Sequence, residues 1–152
     1  MSGKLAVLAT VGAALVAMLA LPGARALERP GTIRITDSET SHVYVDMGKS
    51  GKSAGDLDVY SFVLFNRRIT TKAIGHAKMT CTAVGGTGQS CTGAYILPQG
   101  EIVAAGVITS RLIYELAVIG GTGLYNNVRG SLTVTSLERK PTKELLVFRL
   151  AV

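Results

Sequence analysis

From residue 27 onward, apolar residues fall into short runs, with no stretch that keeps a helical period. Runs rich in Val, Ile, Leu and Thr are separated by Gly, Pro and Asn, the spacing of an all-β sandwich or barrel. The pattern predicts strands at Thr32–Thr36, His42–Asp46, Leu57–Asn66, Thr71–Ala83, Ser90–Leu97, Glu101–Thr109, Leu112–Ile119, Val128–Leu137 and Leu145–Val152. "LPQGE" places Pro and Gly as a type I hairpin turn does. The Gly/Ser/Lys-rich stretch "MGKSGKSAGD" (47–56) reads as a mobile loop. With so many consecutive hairpins and so few residues, closing the sheet into a barrel is the economical way to hide its edges.

The two cysteines sharpen this picture. "GHAKMTCTA" and "QSCTGAYIL" read as strands joined by the turn "VGGTG", which sets Cys81 opposite Cys91. Opposed Cα atoms at a non-hydrogen-bonded antiparallel site lie ~4.5 Å apart, within reach of a disulfide. The alternative is a metal site, but that would want more Cys or His nearby, and His42 and His76 are isolated. In this register Gly75, Ala77, Met79, Cys81, Gly93, Tyr95 and Leu97 share an apolar face that suits a narrow barrel interior. His76, Lys78, Thr80, Thr82 and Thr92 share the other. In "VYSFVLF" and "GVITSRLIYELAVI" both faces are apolar. A barrel buries only one of them, so the second predicts that subunits pack into a homo-oligomer.

The first 26 residues stand apart. Lys4 precedes an unbroken apolar or small run from Leu5 to Leu21, 17 residues long, then Pro22-Gly23 and Ala24-Arg25-Ala26. A small-x-small site after such a run predicts a signal peptide (1–26) cleaved after Ala26 and a secreted product, with the β-barrel domain at 27–152. The run is shorter than the ~20 residues a spanning helix needs, so no stable membrane anchor is expected after processing. Export also places the cysteines in an oxidising compartment. Loss of Lys4 and Arg25 leaves 14 basic and 10 acidic residues, a mild +4. The basic clusters, Arg67-Arg68 and "ERKPTK", carry no interleaved aromatics, which argues against nucleic-acid binding.

"AVIGGTGLYNNVRGSLTV" (117–134) poses a choice between a phosphate-cradling loop and a sharp turn. A phosphate loop sets its glycines between a strand and a helix. Here "LYNNVRGSLTV" follows, with no helix-forming pattern, and Asn126 stands where a third Gly belongs. The second copy, "AVGGTGQ", sits at the tip of the cysteine hairpin. Both are turns, whose glycines supply the positive φ that tight corners require. No Gly-x-Ser-x-Gly, His-Glu-x-x-His or Cys/His nucleophile arrangement is present, and the chain has no Trp.

"ELAVIGGTGLYNNVRGSLTV" resembles the strand-turn-strand segment "VxGGTGxYxxxRG" shared by the dirigent and allene oxide cyclase barrel superfamily. "GDLDVYSFVLFN", "IGHAKMTC", "CTGAYIL" and "LPQGEIVAAGVI" follow the order of its bacterial members, so the resemblance spans roughly 55–134. It implies an eight-stranded antiparallel barrel, commonly trimeric, with a hydrophobic lumen and neither metal nor organic cofactor. Such proteins position a reactive molecule and exclude water, so that one outcome of cyclisation or coupling prevails. The superfamily's acid-and-arginine set does not map onto this chain residue by residue.

Several residues are candidates for the chemistry. Glu115 interrupts "LIYELAVI" at the family's Glu position; in an apolar lumen such a carboxylate would be a general acid or base, and on the surface an ion-pair partner for Arg111 or Arg129. Tyr95, on the interior face, could hydrogen-bond a ligand oxygen or a structural partner. Tyr60, Met79 and Tyr114 are possible lining residues, and otherwise core. Arg129 matches the family's Arg-Gly and would contact an anionic group or tie down the turn. Asp56 and Asp58 border the 47–56 loop and read as solvated carboxylates. Two functions fit: a secreted barrel that binds an apolar or phenolic molecule and steers its cyclisation, isomerisation or coupling, or a non-catalytic exported binding or structural barrel.

Overall fold

The computed structural model describes residues 30–67, 72–139 and 142–151, so the signal peptide and cleavage site expected from the sequence, Arg68, Thr71 and Val152 lie outside the described residues. Eight strands run in chain order: β1 Gly31–Val45, β2 Leu57–Asn66, β3 Gly75–Ala83, β4 Gln89–Leu97, β5 Gly100–Ile108, β6 Ile113–Gly121, β7 Arg129–Arg139 and β8 Thr142–Ala151. Each pairs antiparallel with the next, and β8 pairs with β1, so the sheet closes into a barrel without edges. Between β6 and β7 lies a single 3-10 turn, Gly123–Tyr125.

Two expected strands, Thr32–Thr36 and His42–Asp46, are one. β1 runs through both, with a bulge between Glu39 and Ser41 on its pairing with β2. Before the bulge Asp37 faces Leu64 and Glu39 faces Phe62; after it His42 faces Tyr60. The extra residue, Thr40, shifts the alternation by one. Odd-numbered residues point inward before it and even-numbered ones after it. That change of parity is what made the segment read as two strands. β6 also runs on through Gly120 and Gly121, past its expected end at Ile119.

The cysteine hairpin has the anticipated register, with Cys81 opposite Cys91, Met79 opposite Gly93 and Ala77 opposite Tyr95. The two cysteines form a disulfide with Cα atoms 4.0 Å apart. Burial alternates strictly along β3: Ala77, Met79 and Cys81 are buried while His76, Lys78 and Thr80 are exposed.

The glycine segment is a corner, as expected. Gly123 has φ +61°, and a Cβ there would lie 2.4 Å from the Gln99 carbonyl oxygen. Gly130 has φ +137°, and its Cβ would meet the Arg149 carbonyl oxygen. Only glycine allows β7 and β8 to approach so closely there.

The barrel interior is packed, not hollow. Phe148, Leu64, Ile102, Leu116, Leu132 and Leu146 fill it and are fully buried. Each such side chain contributes roughly 1.5–3 kcal/mol of burial. The hydrophobic lumen that the resemblance implies is thus filled by side chains, and a cavity lies at one end instead. At that end the 46–56 and 84–88 connections and Arg111 meet, and β1 runs on past Ser38, where its pairing with β8 stops, while its pairing with β2 continues to Val45.

Candidate functional site

A cavity of about 580 Å³ opens at this mouth, lined among others by His42, Tyr44, Lys52, Asp58, Tyr60, Gln89 and Arg111. Strand alternation carries the barrel's inner face up into it. Leu64, Phe62 and Tyr60 point inward along β2, and Asp58 and Asp56 continue the same side. On β1 the bulge brings His42 and Tyr44 onto that face.

These side chains are held by one another. His42 Nε2 lies 2.5 Å from Asp58 Oδ1, and the Gln89 amide donates to Asp58 Oδ2 at 2.5 Å. Arg111 Nη2 donates to Gln89 Oε1 at 2.7 Å and to the Tyr60 hydroxyl at 2.5 Å. The guanidinium also lies 4.8 Å from the Tyr60 ring centroid, and the His42 ring stacks on Tyr60 at 4.4 Å. Burial opposes the charge on Asp58, but the bonds from His42 and Gln89 and the nearby Arg111 cation outweigh it and hold its pKa below the usual value.

Asp56 organises the neighbouring loop. It accepts from the Tyr44 hydroxyl at 2.6 Å, from the Ser53 amide at 2.6 Å and from the Met47 amide at 3.0 Å. These bonds, the tyrosine's first, hold its pKa down to about 2, and the same contact pushes Tyr44 up to about 12. Neither Asp56 nor Asp58 is the solvated loop carboxylate that the sequence suggested. The 46–56 connection is tied across its base through Asp56.

Beneath the mouth lies a second, buried acidic group. Asp37 is 1% exposed, and its Oδ1 accepts from the Glu144 backbone amide at 3.1 Å. The Tyr114 hydroxyl donates to Glu144 Oε2 at 3.2 Å. Burial, then repulsion from Glu144, raises Asp37 to about 8, and burial also raises Glu144. At neutral pH the pair therefore retains a proton, as closely placed carboxylates in an apolar setting do. Burial pushes the Tyr95 and Tyr114 hydroxyls well above their ordinary value, with the same carboxylates adding to the effect. Glu144 and Arg111 also line a neighbouring cavity of about 420 Å³, so Arg111 stands between the mouth and the acid pair.

The candidates named from sequence separate into three groups. Tyr60 lines the mouth, and Tyr114 reaches the acid pair. Tyr95 and Met79 are buried below, Tyr95 edge-on to Phe148 with ring centroids 5.2 Å apart and Met79 opposite Tyr60 in register. Glu115 and Arg129 are not part of this assembly. Glu115 is exposed on the outer face of β6 because it alternates with inward Tyr114 and Leu116, which removes the lumen placement considered for it. Arg129 is exposed at the opposite end, beside a separate cavity with Gly121 and Asn127. Asp37, His42, Glu144, Gln89 and Arg111 were not singled out as site residues. The one signal for Asp37 was its place in an Ile-x-Ile-x-Asp alternation (33–37). Among the described residues no group of three His, Cys, Asp or Glu side chains could hold a metal.

No family profile and no curated protein matches the sequence. Solved structures do match. A structure of pyocyanin demethylase superposes with a TM-score of 0.67 at 28% identity, covering 80% of this chain and 100% of that one. The pterocarpan synthase dirigent protein PsPTS1 gives 0.62 at 18%, over 82% and 94% of the two chains. The Diels-Alderase AbmU from Streptomyces koyangensis gives 0.65 at 15%, over 80% of this chain and 63% of its own. The fold is thus that of the dirigent and cyclase barrels.

Proposed function

We propose that the protein binds a flat apolar or phenolic molecule in the barrel mouth and steers its isomerisation, cyclisation or coupling by holding it and moving protons. The observation that carries this reading is the Asp37–Glu144 pair. Two carboxyl groups are kept buried in an apolar barrel, with a tyrosine hydroxyl on Glu144, and Glu144 lines a cavity that shares Arg111 with the mouth. Burying such a pair is costly, so a structure-only role is a poor reason to keep it. A carboxylic acid that holds its proton near neutral pH can give it to a substrate oxygen or nitrogen, and its conjugate base can take one from carbon or oxygen. His42, stacked on buried Tyr60 but itself exposed in the cavity, offers a flat surface, and Arg111 offers a cation to an oxygen that gains negative charge.

The neighbours support the reading at the level of scaffold. The 28%-identical one is named for an activity on pyocyanin, and the dirigent and Diels-Alderase structures share the barrel. Proton transfer and positioning alone suffice for isomerisation or ring closure, so no cofactor enters the proposal. We place the protein outside the cell, as the leader segment suggests. We also expect the exposed outer residues Ile96, Val107, Ile113 and Ile119 on β4, β5 and β6 to pack against further copies of the chain.

The test is titration with pyocyanin and a panel of flat phenols, with conversion followed by liquid chromatography and mass spectrometry. The expected result is binding of at least one compound and its conversion to an isomer, or to a single coupled product when an external one-electron oxidant is added. Glu144→Gln and Asp37→Asn should keep binding and lose roughly 10²–10⁴-fold in rate. Binding without conversion in the wild type would leave a non-catalytic carrier. No binding at all would leave a structural barrel.

A further inference from the structure

We infer that His42 is a second proton-handling group, a general base for a phenolic or enolic hydroxyl held in the mouth cavity, with Asp58 and Gln89 as its positioning residues. This rests on the ligand reading above and deepens it by naming the acidic group of the substrate and the base that receives its proton.

The geometry is that of an oriented imidazole. Asp58 Oδ1 engages His42 Nε2, which fixes the Nε2–H tautomer and leaves the lone pair on Nδ1. Among the described residues no hydrogen bond occupies Nδ1. Asp58 cannot swing away, because Gln89 holds its other oxygen and is itself held by Arg111. The imidazole plane is fixed by stacking on Tyr60 at an interplanar angle of 11°. The His42 side chain is 40% exposed, and it lines the cavity rather than the outer surface. Simple tethering of β1 to β2 does not call for this arrangement. The backbone ladder already pairs the two strands as far as Val45 and Leu57, beyond His42.

The proton balance closes within the site. The substrate O–H bond breaks, its proton goes to His42 Nδ1, and the electron pair stays on oxygen. The resulting imidazolium is neutralised by Asp58. The oxyanion faces Lys52 and Arg111, which line the same cavity. Arg111 makes both of its described hydrogen bonds through Nη2, so its remaining guanidinium N–H groups can meet that oxygen. The proton returns to the product, and no oxidant or reductant is consumed.

Two probes test this on the full protein. 4-Nitrophenol has a proton to give and a coloured phenolate; 4-nitroanisole, its methyl ether, has none. In buffer one unit below the phenol's own pKa, binding to the wild type is expected to raise the phenolate band. His42→Gln should abolish that rise while 4-nitroanisole still displaces the phenol. Asp58→Asn should weaken it, moving the bound phenol's apparent pKa back by about one unit, a tenfold change. A phenolate band of wild-type strength in His42→Gln, or no rise in a wild type that binds both probes, overturns the assignment and leaves the ligand site standing. Failure of the wild type to bind either probe removes the ligand site and the base with it.

Discussion

At the scale of single residues, the molecule separates two kinds of carboxylate by environment. Asp56 is surrounded by donors and sits low, whereas Asp37 is surrounded by hydrocarbon and a second carboxyl and sits high. Their effects on stability have opposite signs. With a folded pKa of about 8 against an ordinary 3.8, Asp37 keeps a proton that the unfolded chain has released. Its contribution is therefore full below pH 3.8 and is lost as pH rises toward 8. Glu144 acts in the same direction. Asp56, lowered to about 2, contributes fully above 3.8 and loses that contribution as pH falls toward 2. Melting curves should therefore show Tm falling from pH 5 to pH 8. Asp37→Asn should flatten that slope and raise Tm at pH 8, by roughly 4 °C for each kcal/mol recovered. An unchanged slope in Asp37→Asn would mean that the side chain is solvated.

At the scale of elements, the cysteine hairpin and the mouth differ in how far the sequence revealed them. Apolar-inside alternation was intact along β3 and β4, so register, face and disulfide could all be read. It fails where a strand leaves the packed core. Asp37 lies one residue beyond the expected end of its strand at Thr36, and Glu144 one residue before the expected start at Leu145. Asp56, Gln89 and Arg111 also lie just outside the expected strands. A mouth residue is polar because it meets the cavity, and polar residues beside glycine look like turn. The bulge at Thr40 concealed His42 and Tyr44 further, since only the extra residue reverses which side chains face inward. The hairpin gives an element-scale prediction. Cys81→Ala with Cys91→Ala should lower the unfolding free energy in urea by about 2–3 kcal/mol, the loop-closure contribution for so short a loop. No loss would mean that the turn and ladder alone hold the register.

At the scale of the whole molecule, barrel closure fixes where chemistry is possible. Phe148, Leu64, Ile102 and Leu132 make the middle of the barrel a solid core, which supports the strands but leaves no room for a guest. Polar side chains are displaced to the end where β1 outruns β8; the His42–Asp58–Gln89–Arg111–Tyr60 chain lines the cavity there, and Glu144, bonded through its backbone to Asp37, lines the cavity next to it. The outer surface follows a different logic. Ile96, Val107, Ile113 and Ile119 stay exposed, and Glu115 lies on that side rather than in the mouth. The central claim, that the mouth holds a small molecule, is tested most directly by native mass spectrometry of the protein purified without refolding from the cells that make it. The prediction is an oligomer carrying an added small-molecule mass, which disappears when Arg111→Ala and Tyr60→Leu are combined. A bare protein that stays bare after incubation with apolar extracts of those cells would contradict the account.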